Sequence, residues 1–241
     1  MIIMRLWEIT GKKFDEIEKK VAVLPVGSIE RHGDHLPLGT DTIIAEYIGE
    51  KLASIRKDIV LLPPVWYGSC RGLRDFLGTF DIDPNILYRY ILNIILEAAR
   101  QGFKLVVIIN GHGGNTNILR LAAREAAFKT DIGVIVINWW TDLAQETREK
   151  LFTKPGHAGE DETSAMLTIN HDLVDMKYAQ DVEVVYPPVK IYSMKIERSI
   201  YSKALTGAAS KASEEKGAEW LTAAVKHLNE IIDKTLELLA K

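Results

Sequence analysis

The chain is predicted to be an α/β protein built on a mainly parallel sheet with helices on both faces. Three observations carry this. Short runs of β-branched and aliphatic residues alternate with amphipathic helical patterns along all 241 residues, as strand–helix–strand units do. The runs are apolar throughout instead of alternating, as strands buried on both faces are. Two of them lead directly into segments rich in glycine, histidine and carboxylates, and α/β enzymes place ligands at the carboxyl ends of strands.

In chain order, Val21–Val26 reads as a buried strand and Thr42–Ile55 as a helix with Ile43, Ile44, Tyr47, Ile48 and Leu52 on one face. Ile59–Leu62 is a second strand, stopped by Pro63 and Pro64. Pro84 to Gln101 is a helix with proline in its first turn, Gly102 beyond its end, and a stripe of Ile91, Ile94, Ile95 and Ala98. Leu105–Ile109 is a third strand, Thr116–Phe128 a helix and Gly133–Asn138 a fourth strand. Glu160–Ile169 is a shorter helix, and Val182–Val185 an edge strand before Pro187 and Pro188. Lys211 to Leu239 is a long closing helix, with Gly217 a point where it breaks. No repeat, low-complexity tract or long linker divides the chain, so residues 1–241 are expected to form one domain. The irregular stretches Trp66 to Asp83 and Tyr186 to Gly207 are candidate pocket walls, because long structureless loops in compact domains are often functional.

Composition narrows the function. Apolar content of 47% and charged content of 26% are ordinary for a globular protein. A formal charge of −3 offers no basic surface for nucleic acid. No apolar run approaches the roughly 20 residues that span a bilayer, and Met1 to Lys13 lacks the pattern of a signal peptide, so the expected location is cytoplasmic. Cys70 is the sole cysteine, which excludes an internal disulfide and a cysteine-based zinc site.

The chemistry-bearing segments are Gly27 to Asp41, Asn110 to Asn115, and Gly156 to Ser164. Glu30 and His32 stand two apart, so in extended backbone they point to one side. Mixed oxygen and imidazole ligands suit Zn²⁺, Mn²⁺ or Fe²⁺. Asp41 reads either as an N-cap of the following helix or as a ligand. His112, among Gly111, Gly113 and Gly114, reads either as a ligand or as incidental to an anion-binding turn. Glu160 and Asp161 read as complements to a helix macrodipole. Glu162 faces the apolar run Ala165-Met166-Leu167, and a carboxylate at that depth needs a cationic partner. His171 and His227 read as surface residues, and Cys70 as a buried or loop-lining thiol.

Together these segments resemble the creatininase (creatinine amidohydrolase) family. Gly27 to Asp41 matches its Gly-Ser-x-Glu-x-His-Gly-x-His-Leu-Pro-Leu-Gly-Thr-Asp signature, Asn110 to Asn115 its Asn-Gly-His-Gly-Gly-Asn, and His157 to Ser164 its His-Ala-Gly-x-x-Glu-Thr-Ser. The resemblance implies a three-layer α/β/α fold, an oligomer (hexameric in the family), and two divalent ions per subunit. Glu30, Asp41 and His112 would hold one ion, and His32 and Asp41 the other, with Asp41 bridging and Glu162 supplying the missing carboxylate. His157, or Glu162 if it binds no metal, would be the acid/base residue. The implied reaction is hydrolysis of a non-peptide C–N bond, in a cyclic amide or formamide, by metal-activated water.

Two departures bear on the substrate. Creatinine-hydrolysing members carry His-Tyr-Glu where this chain has His112-Gly113-Gly114, a glycine pair shared with formamidopyrimidine-nucleotide deformylases. The loop before Gly78-Thr79 carries Cys70, Arg71 and Arg74, and arginine at a pocket rim suits a phosphate or carboxylate. The expected substrate is therefore a formylaminopyrimidine ribonucleotide, with creatinine as the alternative, and Cys70, Arg71, Arg74, Gly113 and Gly114 as substrate-side residues. A non-catalytic metal-binding member is the competing class. A metal-free phosphate binder lacks a Walker lysine and a dinucleotide fingerprint.

Overall fold

The four central strands lie side by side in parallel because each offers apolar side chains to both faces. A computed structural model describes residues 3–189 and 191–241. Strands β1 (Val21–Val26), β2 (Ile59–Leu61), β3 (Leu105–Asn110) and β4 (Gly133–Asn138) form one sheet of order β2-β1-β3-β4. All of its pairings are parallel. The helices are α1 (Gly11–Glu16), α2 (Thr40–Ile55), α3 (Pro84–Arg100), α4 (Thr116–Lys129), α5 (Trp139–Asp142), α6 (Gln145–Leu151), α7 (Glu160–Asn170), α8 (Met194–Ile200) and α9 (Glu214–Leu239).

Side chains alternate across a strand. Val21 and Val23, with Leu105, Val107 and Ile109, therefore enter one core beside residues of α2, α7 and α9. Ala22, Leu24 and Val26, with Val106 and Ile108, enter the other beneath α3 and α4. Two cores on one sheet make three layers. The chain leaves β1 through α2 to β2 on one side, then returns through α3 to β3 on the other. β1 is thus the switch point of the sheet, and the crevice between the loops after β1 and β3 is where such folds bind ligands.

Three sequence expectations need correction. α2 starts at Thr40, so Asp41 lies inside its first turn and the N-cap is Gly39. Val182–Val185 does not join the sheet: β5 (Asp181–Val182) pairs antiparallel with β6 (Gly207–Ala208) in a separate ribbon. Glu183 and the prolines at 187 and 188 give that segment neither an apolar face nor donors for a longer ladder. The closing helix begins at Glu214, where the Ser213 side chain accepts from Lys216 N–H, and runs unbroken through Gly217.

Gly217 marks a close approach instead of a break. A Cβ built there would lie 2.0 Å from the Ser164 carbonyl oxygen on α7. Alanine would gain about 1 kcal/mol of helix propensity, but overpacking costs roughly 1–3 kcal/mol and the contact is with backbone. Gly217→Ala is therefore expected to lower stability in a denaturant-unfolding measurement, whereas alanine at an exposed helical glycine would raise it.

Candidate active site

Two glycines bring the ligand-bearing loops together. A Cβ on Gly27 would lie 2.1 Å from Thr42 Oγ1, and one on Gly111 would lie 2.1 Å from the Asp41 carbonyl oxygen. The turns after β1 and β3 thus press against the first turn of α2, and Asp41 emerges between them. Asn110 and Asn115 tie the loops. Asn110 Nδ2 donates to the His112 carbonyl at 2.8 Å, while Asn115 donates to the Gly27 carbonyl at 2.9 Å and accepts from Ser69 N–H at 2.9 Å.

Glu30, His32 and Asp41 are fully or almost fully buried. His112 Nδ1 lies 3.0 Å from Glu30 Oε1 and 3.3 Å from Asp41 Oδ2. His32 Nε2 lies 3.1 Å from Asp41 Oδ1 and 3.7 Å from Glu162 Oε2. His157 Nδ1 is 3.8 Å from Glu30 Oε1. The other nitrogen of each ring meets a backbone carbonyl: His32 Nδ1 at Glu30 (3.1 Å), His112 Nε2 at Ser69 (3.0 Å) and His157 Nε2 at Arg31 (2.9 Å). Since a carbonyl only accepts, each ring donates there, and in the neutral tautomer its lone pair faces the carboxylates. This is how metal-ligating histidines are oriented.

The donor set fits cations. Glu30 Oε1 and Asp41 Oδ2 are buried without a hydrogen-bond partner, and an unpartnered buried carboxylate oxygen is costly. Three groups of ligand atoms lie within 4.8 Å of one another: Glu30–Asp41–His112, His32–Asp41–Glu162 and Glu30–His32–His157. Asp41 belongs to the first two. Without cations the cluster holds protons. Burial opposes charge on His32, yet Asp41 raises its pKa to about 10. Burial likewise opposes charge on His112, and Glu30 and Asp41 raise it well above the usual imidazole range. Burial raises Glu30 and pushes Glu162 up to about 8. His157 is neutral, lowered to about 3 by burial and by His32.

The third segment holds more than its sequence reading. Glu160 and Asp161 stand in the first turn of α7, as read from sequence, and are in addition buried ion-pair partners. Glu160 Oε2 accepts from Thr153 and Lys154 N–H at 2.9 Å each, and its Oε1 meets Lys216 Nζ at 2.7 Å. Asp161 pairs with Arg148 at 2.6 Å and accepts from Gly156 N–H at 2.9 Å. Ala158, fully buried with φ of 52°, turns the chain so that its N–H reaches Glu162 Oε2 at 2.7 Å. His171 and His227 are exposed, as expected, and His227 Nδ1 accepts from Ala144 N–H.

The cluster lies at the base of a cleft of about 1070 Å³ whose walls include Cys70, Arg71, Gly113, Gly114, Trp140 and Tyr201. Arg74 is exposed and is not among the residues that line this cleft. Gly114 adds no room beside His112, since a Cβ there would lie 2.0 Å from the Ser69 carbonyl oxygen. The open position is Gly113, whose Cβ would meet only Trp140 at 3.8 Å. Cys70 is a buried thiol pushed up to about 12 by burial and by Glu30, with Sγ 3.4 Å from the Phe80 carbonyl oxygen. Arg71 is engaged by Asp83 at 3.3 Å and Asp81 at 3.9 Å.

Sequence reasoning gave no role to His35 and Tyr201. His35 is buried with Nε2 2.8 Å from Thr163 Oγ1, and its signal was the histidine three residues after His32. Tyr201 stands edge-on to His157, ring centroids 5.6 Å apart. It lies inside the irregular stretch Tyr186 to Gly207, expected to be a pocket wall, but no spacing relation to the motifs singled it out.

Asp41→Ala is expected to weaken two bound divalent ions together, whereas Glu30→Ala and His32→Ala weaken different ones. Calorimetric titration of the metal-free protein checks this. Two ions bound by the Asp41 variant at unchanged affinity would remove the bridging assignment.

Known proteins place this geometry. The family model described as creatinine amidohydrolase matches residues 7–232. The creatinine amidohydrolase of Pseudomonas putida is 29% identical over 231 residues, covering 88% of each protein. A mycofactocin precursor peptide peptidase of Mycobacterium ulcerans is 34% identical over 161 residues, 63% of this chain and 59% of that protein. A 2-amino-5-formylamino-6-ribosylaminopyrimidin-4(3H)-one 5'-monophosphate deformylase of Methanococcus maripaludis is 32% identical over 114 residues, 45% of this chain and 48% of that protein. Among solved structures, a manganese creatininase superposes with a TM-score of 0.84 at 26% identity, covering 97% of this chain and 99% of that one. A zinc–zinc type mutant creatininase gives 0.84 at 26%, covering 98% and 99%. The chain belongs to the creatininase family of amidohydrolases.

Proposed function

We propose that the chain is a two-metal hydrolase of a non-peptide C–N bond in a formamide or cyclic amide larger than creatinine. The observation that carries the reading is the pair of orphaned oxygens, Glu30 Oε1 and Asp41 Oδ2, among three pinned imidazoles at the base of an open cleft. Glu30, Asp41 and His112 would hold one ion and His32, Asp41 and Glu162 the other. Zinc, manganese or iron there would supply a water of lowered pKa and polarise the carbonyl under attack.

The chain's own residues do the rest. Asp41, touched by both His32 and His112, keeps the two sites in register. His157 is fixed by its Nε2–H on the Arg31 carbonyl, so its Nδ1 is the nitrogen that faces the cluster and would relay a proton to the leaving nitrogen. Burial of Glu162 suits it to the second ion, with proton transfer as its alternative use. His157→Ala is expected to lower kcat by about 10²–10⁴-fold, the usual range for a positioned acid/base group, with two ions per chain still bound by elemental analysis.

The size of the cleft supports a substrate beyond a small neutral ring, since drug-sized ligands fill about 300–1,000 Å³. Arg71 on its wall offers donors to a phosphate or carboxylate. A formylaminopyrimidine ribonucleotide has both the formamide and the phosphate, and a relative named as the deformylase of such a monophosphate is 32% identical over 114 residues. Creatinine is the second reading, favoured by similarity to creatininases along the whole chain. The metal-reconstituted enzyme is expected to turn over a formylaminopyrimidine ribonucleotide faster than creatinine, releasing formate that His112→Ala abolishes. Faster hydrolysis of creatinine would reverse the order.

We also propose a homo-oligomer, a hexamer as in the family. Trp66, Tyr67, Ile86 and Tyr90 line an apolar groove of about 340 Å³ and are exposed in the single chain. Light scattering of the dilute protein should give a mass several times 27.0 kDa, and a monomer would contradict the assembly.

A further inference from the structure

Glu30, His32 and His112 stand on the crevice of the sheet, in loops braced by Gly27 and Gly111 against α2, whose first turn carries Asp41. Glu162 does not. It arrives on α7, a separate segment, yet its Oε2 must meet His32 Nε2 across 3.7 Å. Something has to fix α7 to the loop after β1.

His35 is placed to do so. Its Nε2 lies 2.8 Å from Thr163 Oγ1, beside Glu162. Its backbone carbonyl accepts from Asp175 N–H at 2.9 Å, beyond the other end of α7. Thr163 Oγ1 in turn donates to the Ala158 carbonyl at 3.3 Å, so His35 Nε2–H is the donor to Thr163. Ala158 is the left-handed residue whose N–H holds Glu162 Oε2. One hydroxyl therefore joins the loop that carries His32 to the turn that aims Glu162.

The link is maintained against a penalty. His35 Nδ1 is buried without a partner, and an unsatisfied buried polar atom costs free energy that an apolar side chain would avoid. Gly33 accommodates the ring with φ of 59°, and a Cβ there would lie 2.8 Å from His35 Nδ1. A residue that served only to fill this space would be apolar.

We propose that the His35–Thr163 hydrogen bond is a positioning contact that sets Glu162 against His32 and completes the second cation site, leaving the Glu30–Asp41–His112 site independent of it. This rests on the two-metal reading above.

The test is calorimetric Mn²⁺ titration of metal-free wild type, Thr163→Val, Thr163→Ser, His35→Phe and Glu162→Gln, with thermal melting of each metal-free protein. Thr163→Val and His35→Phe are expected to bind one ion as wild type does and the other at least tenfold more weakly, the same pattern as Glu162→Gln. Thr163→Ser, which keeps the hydroxyl, should stay within about twofold of wild type at both sites. Equal weakening of both ions alongside a lowered melting temperature would show a structural role and overturn the inference. Two ions bound unchanged by Thr163→Val would also overturn it, with the two-metal site left standing. Wild type that binds no Mn²⁺ would remove that site and this inference with it.

Discussion

Carboxylate oxygens buried without a donor are the condition around which the rest of this molecule is arranged. Glu30 Oε1 and Asp41 Oδ2 are sealed from water and unsatisfied by hydrogen bonds. Leaving them so would cost several kcal/mol per charge, and among the described residues the cationic partners within 4 Å are imidazole nitrogens. Those nitrogens are not free to turn. Each of His32, His112 and His157 is held by its other nitrogen on a backbone carbonyl, so the field at the centre is set by the backbone of two loops, at Glu30–Arg31 and at Ser69. Protons on His32 and His112 or divalent cations can balance it, and metal uptake must displace those protons.

The fold exists to bring these loops to one place. Parallel pairing of β1 with β3 puts Gly27 and Gly111 side by side, and the absence of a side chain at each lets the first turn of α2 enter between them. Asp41 then reaches both imidazoles, which no helix starting a turn later could achieve. On the other wall, Glu160 and Asp161 anchor residues 153–156 through backbone N–H groups, and Lys216 and Arg148 neutralise them. Ala158 is held in a left-handed conformation at the centre of that anchor. Strain of this kind persists where surrounding structure over-determines it, and it clusters at functional sites.

Much of this was legible in the sequence because it is local. Apolar runs that end in glycine and a charged or imidazole residue mark strand ends, and the first two motifs sit on such ends or on the helix that follows, while the third sits at the start of α7. What was not legible depends on partners far along the chain. Glu160 and Asp161 have the local look of helix-dipole complements, and only tertiary contact with Lys216, 56 residues on, and with Arg148 shows their role. Gly217 has the local look of a helix breaker, and only the Ser164 carbonyl explains it. Arg71 and Arg74 are equivalent in sequence and both exposed, but Arg71 lines the cleft and Arg74 does not. Tyr201 lies within the long irregular segment Tyr186 to Gly207, where no spacing pattern joined it to His157.

Whether cations occupy this cluster is tested most directly by an anomalous-difference map of crystals grown with Mn²⁺ or Zn²⁺. Two peaks per chain are expected, one among Glu30, Asp41 and His112 and the other among His32, Asp41 and Glu162, with Asp41 contacting both. A map with no peak between these residues, in crystals of protein shown to be folded and saturated with the metal, would contradict the two-cation site.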